Sequence, residues 1–329
     1  MKVLLLGATG MLGHNVAVSL LERGHDVVAL VRRREALQLG AHPSLHVVVG
    51  SLTDDNDLFA AAGGCEAMIN CAGTTDMSLP RISKYMPINR DLCLRMVQAM
   101  ERTGITRLVH VSTANTIGHG DSSHPADESA EIMPPFSQSL YAISKSAGES
   151  ILANAAEKHP NWHIVIINPG FIVGAYDAKP SSGALLLAGF RKKVMAVPSG
   201  GKSFVAAADV AQATVNALTL GRSGERYLVT GEGLTLREFY LLQAEVCGYR
   251  QKVLLLPDPL VKLAGCVGSL LRAIGVRTQL SLNNVQQLMV REHYNMTKAV
   301  EELALVTTPI EKAIKDFYEW RASSLTPKT

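Results

Sequence analysis

Tyr141 and Lys145 stand four residues apart in Tyr141-Ala142-Ile143-Ser144-Lys145, a stretch whose apolar positions continue through Ala147, Ile151 and Leu152. Residues at that spacing share one face of a helix. A free phenol titrates near pH 10, roughly, and is a poor acid or base at neutrality, but an ammonium beside it favours the phenolate. The pair therefore reads as a proton-transferring tyrosine tuned by a lysine. Upstream, the apolar run Arg107-Leu108-Val109-His110-Val111 ends in Ser112-Thr113-Ala114. A hydroxyl there would hold a substrate oxygen beside the phenol, and Ser112 and Thr113 are both candidates.

The partner of this chemistry is written into the first turn, Gly7-Ala8-Thr9-Gly10-Met11-Leu12-Gly13, which follows Val3-Leu4-Leu5-Leu6 and opens a helical pattern through Val16, Leu20 and Leu21. Gly7 permits the tight turn, Gly10 lets backbone N–H groups approach a pyrophosphate, and Gly13 lets the helix pack close to the strand. A second apolar run, Val27-Val28-Ala29-Leu30-Val31, completes a βαβ unit. The predicted ligand is a dinucleotide touched by Gly7, Thr9, Gly10, Met11, Leu12 and Gly13. An acid at the end of the second strand would favour a free 2′-hydroxyl, whereas this strand ends in Arg32-Arg33-Arg34. A guanidinium suits a 2′-phosphate, so Arg32 predicts NADP(H) in preference to NAD(H). Ser51 and Leu52 are expected beside the adenine, and the small residues Cys71, Ala72 and Gly73 close to the cofactor backbone. Asn89 is a further cofactor candidate, though both it and Asn70 also read as helix or turn caps.

Those groups need a scaffold that brings strand ends to one edge. Apolar runs at 2–6, 27–31, 45–49, 66–70, 106–111 and 162–168 alternate with helical patterns, which predicts an α/β fold of the Rossmann type. Its parallel sheet is doubly wound, with helices on both faces. Residues 1–170 form the expected NADP(H)-binding domain. From 171 to 329 the rhythm loosens at Pro180-Ser181-Ser182-Gly183 and Pro198-Ser199-Gly200-Gly201. This half is expected to be mainly a smaller substrate lobe, with segments such as Tyr227-Leu228-Val229 returning to the core.

With 329 residues and 47% hydrophobic content the chain can bury a large core, which excludes disordered and fibrous classes. A net charge of +3 is small for this length, and the basic residues are scattered apart from Arg32-Arg33-Arg34 and Arg191-Lys192-Lys193. Nucleic acid is not an expected partner, and Arg191-Lys192-Lys193 reads as a solvated face. The five cysteines lack metal-ligand spacing, so no metal is expected and the thiols read as reduced, in a cytoplasmic protein. The opening strand runs directly into the glycine turn, so no signal peptide is expected. No membrane span is expected either, because Val253 to Val276 is broken by Pro257, Asp258, Pro259, Lys262 and Arg272.

Together these residues resemble the extended short-chain dehydrogenase/reductase family, the NAD-dependent epimerase/dehydratase group, and within it the dihydroflavonol-4-reductase-like branch. The resemblance rests on the glycine turn, Ser112-Thr113-Ala114-Asn115-Thr116-Ile117-Gly118, Tyr141 with Lys145, Asn168-Pro169-Gly170-Phe171-Ile172-Val173-Gly174, and Asp209-Val210-Ala211. Counting back from Gly118, it implies that the catalytic hydroxyl is Thr113, with Ser112 its open neighbour and a cofactor contact. It also implies that Lys145 binds the nicotinamide ribose and that Asn168, Pro169, Gly170 and Ile172 cover the nicotinamide. Three positions depart from the family pattern: Ser51 replaces a frequent Asp, Ile117 a frequent Tyr, and Asn168 a frequent Arg. The activity implied is NADPH-dependent reduction of a ketone or aldehyde, with Tyr141 as proton donor. The alternatives are a nucleotide-sugar epimerase or dehydratase with retained NAD(P), and a non-catalytic dinucleotide sensor. Thr113, Tyr141 and Lys145 together count against the sensor. The substrate is expected to be small and largely apolar, because Ala184-Leu185-Leu186-Leu187, Phe190, Val194-Met195-Ala196-Val197 and Val253-Leu254-Leu255-Leu256 are expected near the cleft. A homodimer through the helices bearing Leu92, Met96 and Ile151 is a further expectation.

Overall fold

The computed structural model describes residues 1–325. Its strands in chain order are β1 Lys2–Leu6, β2 Asp26–Val31, β3 Leu45–Val49, β4 Ala67–Asn70, β5 Arg107–Val111, β6 His163–Pro169, β7 Phe171–Val173, β8 Val194–Val197, β9 Gly201–Ala206, β10 Arg226–Val229, β11 Glu232–Thr235 and β12 Lys252–Leu255. Seven of them form a parallel sheet in the order β10-β6-β5-β4-β1-β2-β3, so that the chain starts in the middle and winds outward both ways. The first six strands fall within a residue or two of the apolar runs that predict them. The seventh, β10, comes from far downstream and pairs with β6.

Successive residues of a strand point to opposite faces, and β1 shows the consequence. Val3 and Leu5 join Val16, Leu20 and Val210 in one buried layer, while Leu4 and Leu6 join Met96 and Leu152 in the other. Helices Met11–Glu22 and Ala207–Asn216 cover the first face. Helices Asp91–Thr103 and Leu140–Lys158 cover the second. The outermost strand β3 departs from this two-sided burial, with His46 and Val49 exposed. Leu92 and Met96, named above for a homodimer contact, have no exposed surface and pack on this chain's own sheet, with Ile151 partly buried against the same layer. They therefore do not form an outward face.

The remaining strands make a three-stranded sheet, β11-β9-β7, and a parallel pair, β12-β8. Between them lies a second core in which Phe204 and Phe239 stack at 4.2 Å beside Leu186, Val197, Val253 and Phe317. This corrects the expectation that the apolar runs after Gly174 line a cleft. Leu185, Leu187, Met195 and Phe171 pack against that core, and Phe190 stacks on Tyr318 at 4.4 Å. These side chains hold the lobe together, and only Val194, Leu254 and Leu255 among the large ones are exposed. Among the described residues, no helix is long and apolar enough to cross a membrane.

Candidate active site

The glycine turn has the geometry of a cradle. Gly7 adopts φ +83°, and a Cβ on it would sit 2.5 Å from the Ala72 nitrogen. A Cβ on Gly13 would lie 2.1 Å from the Gly7 oxygen, so helix Met11–Glu22 packs against the turn only because that residue has no side chain. At Gly10 a Cβ would meet only the Gly7 oxygen, at 3.5 Å, so the mouth of the turn opens to the front. Gly10 caps the helix with no side-chain hydrogen bond, which leaves the first-turn N–H groups available to an anion. This donor set fits a pyrophosphate. Thr9 is exposed there, Met11 is half-buried and Leu12 is buried.

Arg32 and Arg33 leave β2 exposed and without a side-chain partner among the described residues, whereas Arg34 donates to the Val47 carbonyl at 3.1 Å. Ser51 gives its N–H to Asp57 at 2.7 Å and pairs its hydroxyl with Thr53 at 2.9 Å, beside half-buried Leu52. Cys71, Ala72 and Gly73 follow β4 directly under Gly7. Burial pushes the Cys71 thiol up to about 12, which makes it packing and not a nucleophile.

Tyr141, Lys145 and Glu149 occupy one stripe of helix Leu140–Lys158, turned to the ends of β5 and β6. Burial pushes the Tyr141 phenol up to about 12, and the Thr113 hydroxyl bound to it works in the opposite direction. Lys145 is 2% exposed and points into the sheet, where Nζ donates to the Val111 carbonyl at 2.7 Å and lies 3.2 Å from His110 Nε2. The lysine expected to lower the phenol thus spends its contacts on β5. Asn70 continues the chain: its Oδ1 accepts the Ala72 N–H at 2.9 Å, so its Nδ2 faces His110 Nδ1 at 3.0 Å. The His110 ring thus bridges the Asn70 amide and the Lys145 amine. Burial and the Lys145 charge hold the His110 pKa well below its ordinary value, and burial lowers that of Lys145.

The two candidate hydroxyls separate. Ser112 donates to the carboxylate of Glu149, away from the phenol. Thr113 accepts the Asn115 N–H at 3.2 Å and faces Tyr141. Glu149 Oε1 also accepts Thr116 Oγ1 at 2.7 Å and Asn168 Nδ2 at 2.9 Å, while Arg226 stands 3.8 Å from Oε2. Asn168 has no exposed surface, and its Oδ1 lacks a partner. It braces the Thr113 loop through a second bond, to the Thr113 carbonyl at 3.1 Å. Asn89 is likewise enclosed, its amide shared among the Thr74 N–H at 2.7 Å, the Thr74 carbonyl at 3.0 Å and Ser144 Oγ at 2.9 Å. Pro169 is buried, Ile172 is half-buried, and a Cβ on Gly170 would lie 2.4 Å from the Ser203 oxygen. The structure therefore brings Thr113 and Tyr141 together and sets Asn89 and Asn168 behind them as braces. Sequence reasoning missed His110 and Glu149 as members of the site, and it read Asn70 as a cap and not as the partner of His110. The available signals were a histidine inside an apolar strand and a glutamate two turns after the tyrosine.

In front of Tyr141 lies a cavity of about 80 Å³, lined also by Ser139, Gln138, Tyr85, Met77 and Arg272. Ser139 is 2% exposed and its hydroxyl has no partner. A wider cleft of about 360 Å³ shares Gln138 and reaches Lys262 and Met289.

The sequence model described as the NAD dependent epimerase/dehydratase family matches residues 3–230. Over 324 residues the chain is 26% identical to sterol demethylase protein B of Methylococcus capsulatus, covering 97% of this chain and 98% of that one. Over 320 residues it is 26% identical to a putative dihydroflavonol 4-reductase of Synechocystis, covering 95% and 92%. Among solved structures, gox2253 superposes with a TM-score of 0.84 at 24% identity over 99% of this chain and 98% of that one. WbmH of Bordetella bronchiseptica, solved in complex with NAD+, superposes at 0.73 with 21% identity and 98% coverage of both chains.

Proposed function

The chain belongs to the NAD dependent epimerase/dehydratase family, and from that footing we propose that it is an NADPH-dependent reductase of the ketone or aldehyde group of a small, largely apolar substrate. The observation that carries this reading is the half-buried Tyr141, its phenol set against the Thr113 hydroxyl at the wall of a cavity. A phenol carries its proton at neutral pH, the state a proton donor needs.

When bound, the nicotinamide dinucleotide supplies the hydride. Gly7, Gly10 and Gly13 with the following helix would hold its pyrophosphate. The unpartnered Arg32 guanidinium favours a 2′-phosphate on the adenosine ribose. Tyr141 then gives its proton to the carbonyl oxygen as charge grows there, and Thr113 donates a hydrogen bond to the same oxygen. Lys145 and His110 hold the floor of the site on β5. The cavity of about 80 Å³ is well below the roughly 300–1,000 Å³ of a whole-ligand pocket. It suits the reactive end of a substrate, with the remainder in the adjoining cleft. The full-length likeness to a protein named as a reductase favours the same reading, and the five unpaired cysteines suit a reducing, cytoplasmic compartment.

The test is a screen of NADPH oxidation against aromatic and aliphatic aldehydes and ketones, beside calorimetric titration with UDP- and dTDP-sugars. NADPH consumption with an apolar carbonyl compound supports the proposal. Micromolar binding of a nucleotide sugar with no carbonyl reduction overturns it in favour of an epimerase.

A further inference from the structure

Helix Asp258–Ala273 turns a continuous apolar stripe outward. Leu260 is 56% exposed, Leu263 61%, Val267 49% and Leu270 68%, and the stripe runs on to Ile274 at 76%. At 3.6 residues per turn these side chains fall within an arc of about 100°. The buried residues of the helix, Val261, Gly265 and Gly268, occupy the opposite side. Gly265 and Gly268 bring that side into backbone contact, since a Cβ on Gly268 would fall on the Leu280 carbonyl. The helix is therefore fixed in place, and its apolar side faces out. Exposed large apolar side chains are ordinary when scattered singly but call for a partner when they form a contiguous face.

The charge around this face says what that partner is. From Arg250 to Leu280 the chain carries Arg250, Lys252, Lys262, Arg272 and Arg277 against a single acid, Asp258. Arg277 pairs with Asp76 and Arg272 is turned to the Met77 and Thr278 carbonyls, so the exposed cations left for a partner are Arg250, Lys252 and Lys262. The exposed Arg191-Lys192-Lys193 run joins the same end of the lobe, because the Lys252 N–H donates to the Lys193 carbonyl at 2.9 Å. A second copy seated twofold on this face would set the two cationic clusters together. An anionic surface would complement them. With 16 residues the helix is too short to span a bilayer, which takes about 20.

We propose that this face is a docking surface for an anionic lipid bilayer, with helix Asp258–Ala273 lying in the headgroup plane and its apolar stripe sunk among the acyl chains. The cleft of about 360 Å³ opens beside this helix at Lys262 and shares Gln138 with the cavity before Tyr141. Docking would set the mouth of the cleft at the lipid surface, where apolar carbonyl compounds concentrate. The docking itself rests on the surface alone and is independent of the reaction proposed above.

Flotation of the full chain with vesicles tests it, comparing an equal mixture of phosphatidylcholine and phosphatidylglycerol with phosphatidylcholine alone. Wild type is expected to float with the mixed vesicles, more weakly with the neutral ones, and less as salt rises. The exposed substitutions Leu263→Glu and Leu270→Glu together are expected to reduce flotation by at least about tenfold while leaving the thermal melt and NADPH binding unchanged. Wild-type flotation by the double variant overturns the proposal. So does failure of wild type to float with either vesicle. A vesicle-free dimer that the same substitutions dissociate assigns the face to a second copy and also overturns it.

Discussion

Glu149→Gln removes a charge while keeping the shape of the side chain, so it tests whether the buried carboxylate positions the threonine loop. Glu149 is 5% exposed, and one of its oxygens accepts Ser112, Thr116 at 2.7 Å and Asn168 at 2.9 Å. Hydrogen bonds to a charged group contribute about 1.5–3 kcal/mol each and neutral ones about 0.5–1.5. Neutralising the acceptor therefore costs about 1 kcal/mol per bond, or about 3 kcal/mol for the group. The Arg226 contact at 3.8 Å is partly open to solvent and adds less than about 1 kcal/mol. Urea unfolding should show a loss of about 3–4 kcal/mol, with the slope against denaturant unchanged. Because Ser112 leads directly into Thr113, turnover in the folded variant should fall about tenfold with NADPH affinity retained. Stability within about 0.5 kcal/mol of wild type together with full turnover would refute a positioning role for Glu149.

Two further outcomes follow from named contacts. Arg32→Asp should reverse the cofactor preference, losing about 1.5–3 kcal/mol of NADPH affinity with little change for NADH. Paired dissociation constants read this directly, and a variant that still prefers NADPH removes Arg32 from the site. His14 stacks on Tyr176 at 3.6 Å, and burial lowers its pKa to about 4. The unfolded chain then binds the extra proton first, so the contribution of His14 is complete above about pH 6.5 and lost as pH falls toward 4, by about 3 kcal/mol in all. His110 is depressed for the same reason and adds in the same direction. Urea titrations from pH 7 to pH 4, run on wild type and His14→Phe, should show a shallower fall in the variant; identical slopes would contradict the assignment.

The Rossmann core was legible because each strand carries its own apolar run and the turn carries its own glycines. Val3-Leu4-Leu5-Leu6 has no exposed surface, and Gly7 and Gly13 stand where a Cβ collides with backbone. The Tyr141 and Lys145 spacing was legible for the same local reason. The destinations of long side chains were not. The spacing puts Lys145 beside Tyr141, but the nearest partners of its amine, the Val111 carbonyl and the His110 ring, belong to a strand more than thirty residues earlier. Glu149 gathers Ser112 and Thr116 from one segment, Asn168 from a second and Arg226 from a third, and no local pattern reports that convergence. The apolar runs after Gly174 show the ambiguity of composition, because core and cleft both use leucine and valine. Leu186 and Val253 went to the core, while Leu263 and Leu270 stayed outside it.

The central claim is that Tyr141 gives a proton to a carbonyl oxygen, and Tyr141→Phe tests it most directly, because the ring still fills its place while the donor is gone. Once an apolar carbonyl substrate is in hand, single-turnover NADPH oxidation should slow by about a hundredfold or more in the variant, the loss of one positioned acid. NADPH binding, measured by nicotinamide fluorescence, should stay within about twofold of wild type. A single-turnover rate near that of wild type would take the phenol out of the reaction and contradict the account.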